Sequence, residues 1–472
     1  MISNYVIDTW DSLPWITFRK NLFQLQCKIY AAKQKEDDQA VVQLQELLMT
    51  SKSARFLAVH ETIQSLEKYD TSQHLDSSFF PLELKFHLVL ALKDLKSWKC
   101  QPIMQIPFVN QNSEKHQLTV LGISDSCLHR LIKYALEPVC EVLFAANSFA
   151  SRPGRCAHDI QKHLYLCLHK QRLHTNILYV NLEQCLNPDS QYDLVSNTLL
   201  PPSSKALVYQ AFEQGLKISY AEARGSSVLS PIFGNILMNG IENLGNDVLC
   251  YGGKIVFILG HREHLLSLLN NLRIFLLKRG LNFKLATIQI LKTSVGFDFL
   301  DWYFLVKPNG KFASIPRKEN LVWMKKKVKM MLRDTRLTIF QRLQKIKKFY
   351  SRWWCYHQYC DLGKIKVSLW SLSTNTYKYL RKNTNMGREE TLGHINILFN
   401  GYTYRQNSFS HIQANNSPFD INSHQFSSSL KSMSHPISDT NTKTSAKACQ
   451  CSSRKTDWFL LAYSRHSQNH HS

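Results

Sequence analysis

Residues 248–259, VLCYGGKIVFIL, contain two apolar runs of β-prone residues that are separated by Gly252 and Gly253. Glycines at such a position indicate a two-residue hairpin turn, because a residue without Cβ adopts a positive φ at little cost. Tight turns often display functional side chains, but here the two glycines are followed by Lys254. The stretch therefore predicts a β-hairpin whose tip carries no acidic or nucleophilic group.

The segments around the hairpin mix extended and helical patterns. NILYVNLEQCL (176–186) alternates as a strand does, with Tyr179, Asn181 and Glu183 on one face. SPIFGNILMNGIENL (230–244) has a helical pattern, and GFDFLDWYFLVKPNGKF (296–312) predicts two strands that turn at Pro308-Asn309-Gly310. Together these segments predict an α+β fold in which a small sheet is backed by helices.

Helices are predicted before and after this mixed region. Residues 14–66 carry apolar side chains at a spacing of three to four, with a break near Ser51. A second helical region runs from 319 to about 383, and Thr338 with Gln341 fits a capping box inside it. Five residues of this region are predicted to face inward: Leu321, Met324, Val328, Met331 and Leu332.

The charge balance indicates a polyanionic partner. Lys+Arg number 58 and Asp+Glu 35, a net charge of +23, so nucleic acid is the first candidate and an anionic membrane surface the lesser one. We expect no membrane helix, because no apolar run reaches about 18 residues, and no secretory signal. The 12 cysteines are mostly isolated, which favours reduced thiols in an intracellular or organellar compartment. Phosphate-loop and dinucleotide glycine motifs are absent from the sequence.

Cations and aromatic residues are interleaved in the second helical region, as in surfaces that bind unpaired nucleic acid. Trp353 lies on the predicted apolar stripe and is expected in the core, whereas Trp354 points elsewhere and is the candidate for base stacking. A solvated charged face is the plain alternative. The residues of this region that we expect to contact RNA are Lys325, Lys326, Lys329, Arg333, Arg336, Arg342, Lys345, Lys348, Arg352 and Trp354.

An ordered series of blocks resembles the reverse transcriptase/maturase proteins encoded within group II introns. The resemblance runs from about residue 10 to 385 and is far more specific than any single block. Its blocks are LQCKIYAAKQ (25–34), LTVLGISD (118–125), NSFASRPGRCAHDI (147–160), VLSPIFGNILMNGIE (228–242), GFDFLDWYF (296–304) and LQKIKKFYSRWWCYHQY (343–359).

This resemblance implies a right-hand architecture with a small antiparallel sheet. The implied regions are an N-terminal helical region (1–78), a fingers/palm domain (79–305), a helical thumb or maturase domain X (306–385) and a degenerate tail without expected order (386–472). The resemblance also places Arg152 and Arg155 along the template path, although Arg-Pro-Gly-Arg could simply shape a turn. In the tail, Cys449 and Cys451 have the wrong spacing for a zinc site, so we expect no DNA-cutting module.

The polymerase carboxylates of the family are missing. Active members read Tyr-Ala-Asp-Asp at the hairpin, where this chain has Tyr251 followed by Gly252, Gly253 and Lys254, and Asn181 stands at the other aspartate position. Two-metal nucleotidyl transfer needs ionised carboxylates to hold Mg²⁺. The Pro-Gln-Gly loop has become ARGSS (223–227), and Thr119 replaces a fingers arginine. We therefore expect no catalytic residue and no cofactor, with Mg²⁺ relevant only to a retained polymerase activity.

These observations predict an RNA-binding splicing maturase that has lost reverse transcription. Two alternatives remain open at this point: an active RNA-directed DNA polymerase with an atypical metal site, and a decaying folded remnant without function. The implied partner is group II intron RNA, with no membrane, and the oligomeric state is left open, a homodimer included. The expected compartment is the plastid stroma or the bacterial cytoplasm.

Overall fold

The computed structural model describes residues 10–69, 80–109, 115–169, 175–186, 191–220, 226–259, 264–399, 402, 407–412 and 417–420. Helices dominate both ends of this range, and strands lie between them. The helices are α1 (Trp15–Gln34), α2 (Asp38–Thr50), α3 (Lys52–Tyr69), α4 (Leu82–Ala91), α5 (Ile123–Leu143), α6 (Ala157–Leu168), α7 (Gln191–Ser196), α8 (Pro202–Glu213), α9 (Ser230–Met238), α10 (His264–Leu277), α11 (Lys318–Leu332), α12 (Ile339–Tyr356), α13 (Lys366–Asn383) and α14 (Arg388–Phe399).

The strands form three antiparallel sheets. One hairpin pairs β1 (Met104–Val109) with β2 (Lys115–Val120). A four-stranded sheet has the order β4-β5-β3-β6, and a three-stranded sheet has the order β7-β8-β9. Their strands are β3 (Asn176–Asn181), β4 (Val248–Tyr251), β5 (Lys254–Leu259), β6 (Thr287–Lys292), β7 (Phe297–Phe299), β8 (Trp302–Val306) and β9 (Phe312–Pro316). The α+β prediction is confirmed, as is the Gly252-Gly253 hairpin.

The four-stranded sheet separates two apolar cores. Leu178, Ile255 and Phe257 point into a core that they share with α1, α2, α3 and α5. The alternate residues Val256 and Ile258 point into a second core, formed with β7–β9 and α11–α14. A strand that is buried on both faces reads as a continuous apolar run, which is why residues 254–259 show no polar alternation.

Two local predictions on the strands need correction. β3 ends at Asn181, and Glu183 begins a 3₁₀ turn (Glu183–Cys185) instead of continuing the strand face. The segment 296–312 contains an additional turn, at which Leu300 and Asp301 have φ values of 51° and 67°. Asp301 is a residue type that tolerates such a φ, but Leu300 is not, so the sequence carried only a weak turn signal there.

The helical region after residue 318 follows its predicted pattern. All five residues predicted to face inward are buried. The capping box is present, since Thr338 Oγ1 accepts from the Gln341 backbone N–H and Gln341 Oε1 accepts from that of Thr338. Between α11, α12 and β8, the indole of Trp353 donates to Asn320 Oδ1 over 2.8 Å, and His357 Nε2 donates to the same oxygen over 3.1 Å. Trp302 Nε1 donates to His357 Nδ1, which fixes a neutral ring.

Ordered structure extends into the predicted tail, which corrects the expectation for residues 386–472. Helix α14 packs on α12, with Phe399 edge-on to Tyr350 at 4.9 Å. Farther on, Phe409 stacks on Tyr165 of α6 at 4.8 Å, and the side chain of Phe419 lies in a small cluster with residues of α1. In these segments a few apolar residues stand among polar ones, and their side chains pack on the core. The cysteines at 449 and 451 lie outside the described residues.

Buried neutral histidines make the stability depend on pH. Burial lowers the pKa of His129 to about 4, and holds that of His357 well below its ordinary value. A folded-state pKa below the unfolded one gives stability that is complete above about pH 6.5 and is lost as the pH falls toward 4. Between pH 7 and 5 we expect the His129 site to lower the free energy of unfolding by about 2 kcal/mol.

Urea unfolding at both pH values tests this expectation on three proteins: the wild type, His129→Asn, and the matched variant His87→Asn at an exposed site. The His129 variant should show a smaller loss of stability on acidification than the wild type, because one linked proton is removed. The His87 variant should follow the wild type. An equal pH dependence in all three proteins would contradict the assignment.

Candidate nucleic-acid interface

The positions that the resemblance assigned to metal-binding aspartates come together in the structure. Asn181 at the end of β3 pairs with Lys254 of β5, and the Leu182 N–H donates to the Gly253 carbonyl over 2.7 Å. This follows from the sheet order, because β5 lies between β4 and β3. Asn181, Gly252, Gly253 and Lys254 therefore lie together at one end of the four-stranded sheet.

A tyrosine ring occupies the space beside Gly252. A Cβ on Gly252, whose φ is +62°, would lie 2.9 Å from Cγ of Tyr220. The Tyr220 hydroxyl donates to Asn235 Oδ1 over 3.0 Å, and burial raises the pKa of Tyr220 well above its ordinary value. Since a half-buried, hydrogen-bonded ring does not move aside cheaply, the turn accepts glycine at this position and excludes the alanine of an active polymerase.

Glu183 fills the space beside Gly253 in the same way. A Cβ on Gly253 would lie 2.9 Å from Cγ of Glu183. The Glu183 carboxylate is 3.5 Å from Nζ of Lys254, and the backbone N–H of Glu183 donates to Asn181 Oδ1 over 3.0 Å. The acid closest to the hairpin is therefore paired with the lysine that the hairpin itself carries.

The nearby aspartates of the three-stranded sheet also face cations. Nε of Arg317 is 3.2 Å from Asp298 and 2.8 Å from Glu319. Burial raises the pKa of Asp301, while Lys254 and Arg317 oppose that rise. Within the described residues no three His, Cys, Asp or Glu side chains form a group that could hold a metal ion. The donors around the hairpin do not fit Mg²⁺, which needs several oxygen ligands without an adjacent lysine.

A groove between α11 and α13 brings together four of the predicted RNA-binding cations. Its space is about 640 Å³. The α11 wall carries Lys325, Lys326, Lys329 and Arg333, and the α13 wall carries Ser371, Asn375 and Tyr379. No lining residue is acidic. Four cations facing neutral hydrogen-bonding groups can neutralise phosphates and orient the strand that carries them.

The remaining predicted cations have different surroundings. Arg336 forms a double hydrogen bond with Asp334, and Arg342 donates to the Leu337 carbonyl over 2.8 Å, which helps to close the end of α11. Lys345 is half-buried, and Lys348 and Arg352 are exposed on α12. Of this set, Lys348 and Arg352 remain predicted RNA contacts, and Arg342 is held by the protein backbone.

The structure contradicts an RNA contact for Arg152. Its side chain is 2% exposed and forms two hydrogen bonds with Glu141, at 2.8 and 3.1 Å. It also donates to the carbonyls of Ala145 and Ser148, so its donors are used inside the protein. Arg155 is half-buried, and one of its nitrogens donates to the Ala146 carbonyl over 2.9 Å.

The stacking role predicted for Trp354 is likewise wrong. Trp354 is 8% exposed, and its ring lies 4.9 Å from that of Tyr402 and 6.1 Å from that of Tyr350. Helix α12 packs on α11 on one side and on α14 on another, so its buried face is wider than one apolar stripe. Trp353, in contrast, is in the core as predicted.

Sequence reasoning missed the α13 wall and the ring of Tyr220. The spacing of four between Ser371, Asn375 and Tyr379 could have indicated one polar helix face. Tyr220 lies in a segment without a distinctive pattern, and only the folded chain brings it to the hairpin.

Comparison with known proteins supports the resemblance found in the sequence. Residues 10–72 match the family model described as the N-terminal domain of reverse transcriptase. The chain is 26% identical to Maturase-like protein 1 of Euglena gracilis over 381 residues, 79% of this chain and 82% of that protein. It is 24% identical to Maturase-like protein 1 of Euglena longa over 398 residues, 81% of this chain and 85% of that protein. The domain boundaries beyond the matched region stay predictions.

Proposed function

We propose that this chain is a member of the reverse transcriptase/maturase family encoded within group II introns and that it is an RNA-binding maturase that assists intron splicing without copying RNA. In this role the intron RNA performs the phosphoester chemistry, and the protein stabilises the active fold of the RNA. The groove between α11 and α13 carries the proposal, because it gathers four cations where the thumb is expected. Backbone neutralisation needs no carboxylate cluster.

The proposed loss of polymerase activity is supported by the ion pairs beside the β4–β5 turn. An active enzyme with an atypical metal site would need free carboxylates, yet Glu183 faces Lys254 and Asp298 faces Arg317. The purified protein should extend no primer with Mg²⁺ or Mn²⁺.

A decaying remnant would bind the host intron no better than unrelated RNA of the same length, whereas a maturase prefers its intron.

The fingers, palm and thumb assignment and the compartment are parts of the same proposal. Both relatives come from Euglena species, which supports the plastid stroma over a bacterial cytoplasm. Among the helices of the described residues, none has the length and apolar character to cross a membrane. Whether the maturase acts as a monomer or a homodimer is tested by its sedimentation in the presence of intron RNA.

Removing two groove cations should weaken binding in a salt-dependent way. We expect Lys326→Ala combined with Lys329→Ala to lower affinity for intron RNA and to reduce the slope of log affinity against log salt by about 2, one for each lost phosphate contact. Filter binding at several salt concentrations measures the slope. Splicing of the intron in the presence of the same variant should be slower at limiting protein.

The matched control removes two exposed lysines that lie outside the groove, Lys278 and Lys284. This double alanine variant has the same net charge as the groove variant, so it should keep most of the affinity if the groove is the interface. Equal losses of RNA affinity in the two variants would mean that the protein binds RNA through its overall positive charge and not through the groove. A wild-type affinity independent of salt would contradict RNA binding through phosphates altogether.

A further inference from the structure

Helix α13 carries an exposed tryptophan that the thumb core does not use. The side chain of Trp370 is 66% exposed, and among the tryptophans in the described part of the chain it is the one that lies on the surface. A single exposed apolar residue is ordinary in a protein surface. The position of Trp370 near the cationic groove, however, indicates a functional role.

Trp370 lies across the outer face of α13 from the groove. Ser371, its neighbour in sequence, lines the groove, and successive residues of a helix are rotated by 100°. The path around the helix surface from the groove to Trp370 is therefore about 10 Å. Thr374 and Lys378 lie between the two faces, and Lys378 is exposed.

The charge of α13 favours a polyanion on this path. The helix contains Lys366, Lys378, Arg381 and Lys382 and no acidic residue. An indole on a helix that carries cations on both sides of it and no acid fits a nucleic-acid strand, whose phosphates meet the cations while a base covers the ring. A hydrophobic protein partner would gain nothing from Lys366 and Lys378, which precede and follow the indole along the helix.

We propose that Trp370 stacks on an unpaired base of an RNA strand that leaves the groove between α11 and α13 and crosses the outer face of α13. This proposal rests on the maturase function and deepens it, because it names the class of RNA at this site. The bases of a duplex are stacked on each other and present only their edges, so the site selects a single-stranded segment of the intron. Trp370 takes the role that the sequence assigned to Trp354.

The test compares a single-stranded RNA of about 12 uridines with an abasic oligomer of the same length, which keeps the sugars and phosphates. We expect the wild type to bind the uridine oligomer about tenfold more tightly, and Trp370→Ala to lose that preference. Trp370→Phe should keep most of it, because a phenyl ring also stacks. Val367→Ala is the matched control, since Val367 is an exposed apolar residue of the same helix and should behave like the wild type.

Indole fluorescence gives a second measurement on the same proteins. Uridine oligomer should quench a solvent-exposed component of the wild-type emission, and that component should be missing in Trp370→Phe, which still binds. The proposal is overturned if Trp370→Ala keeps the preference for bases, or if it changes the sedimentation of the protein and leaves RNA binding intact. In either case the maturase proposal stands, whereas failure of the wild type to bind intron RNA would refute both.

Discussion

Gly252→Asp, which puts a side chain at the hairpin position that is alanine in active members, should destabilise the protein by about 3 kcal/mol. The new Cβ would meet the Tyr220 ring at 2.9 Å, and the backbone there has a φ of +62°. Combined with Gly253→Asp, which restores the first aspartate of an active hairpin, it should also fail to yield primer extension with Mg²⁺, because Asn181 and Lys254 remain at the two other aspartate positions. Chemical denaturation and a template-dependent incorporation assay measure the two effects.

Two further variants separate steric conflict from a general intolerance of substitution. Gly393→Ala is the control, because a Cβ at Gly393 meets nothing within 4 Å, and inside helix α14 it should keep the stability or raise it by up to about 1 kcal/mol. Tyr220→Ala should make Gly252→Ala less costly than it is in the wild type, since the conflicting ring is gone. Additive effects of these two substitutions, or incorporation by the double aspartate variant, would refute the view that the polymerase site is filled.

Arg152→Ala should cost about 4 kcal/mol of folding free energy, because it leaves the buried Glu141 carboxylate without its partner. Both side chains are nearly inaccessible, at 2% and 1% exposure. An RNA-contacting arginine behaves differently: its loss lowers affinity and leaves stability unchanged. Unfolding free energy together with intron RNA affinity of the folded fraction therefore decides between the two roles.

The double variant Glu141→Leu with Arg152→Met provides the control for charge burial. Removing both ions leaves no unpaired charge, so this variant should be more stable than Arg152→Ala by at least about 2 kcal/mol. Arg155→Ala, at the half-buried neighbour, should have a much smaller effect on stability. If Arg152→Ala unfolds at the same denaturant concentration as the wild type, the ion pair between Arg152 and Glu141 does not stabilise the fold.

Patterns that repeat within one element could be predicted from the sequence. The hairpin followed from two glycines between apolar runs, and the inward face of α11 followed from its spacing. The groove cations on α11 were found because they lie outside that buried face on the same helix. In each case the deciding neighbours are within a few residues along the chain.

Features made by distant segments could not be predicted in the same way. Trp354 is buried because α14 covers α12, and the sequence after α13 gave little reason to expect that helix. Arg152 is structural because a glutamate of α5 lies behind its loop. The ring of Tyr220 reaches Gly252 only when the chain before α9 folds across the β4–β5 turn. Such contacts depend on tertiary packing, which overrides local pattern.

The small cluster that joins α1 to the segment after α14 has a consequence for synthesis. Phe419 packs 6.1 Å from the ring of Phe23 and 6.2 Å from that of Tyr30. The first helix leaves the ribosome long before the residue that completes its surface, so the nascent protein must keep this apolar patch exposed until Phe419 has been synthesised. A premature stop codon between Ile412 and Ser417 would thus release a polypeptide that keeps Phe409 and Ile412 in the second core and leaves the first helix uncovered.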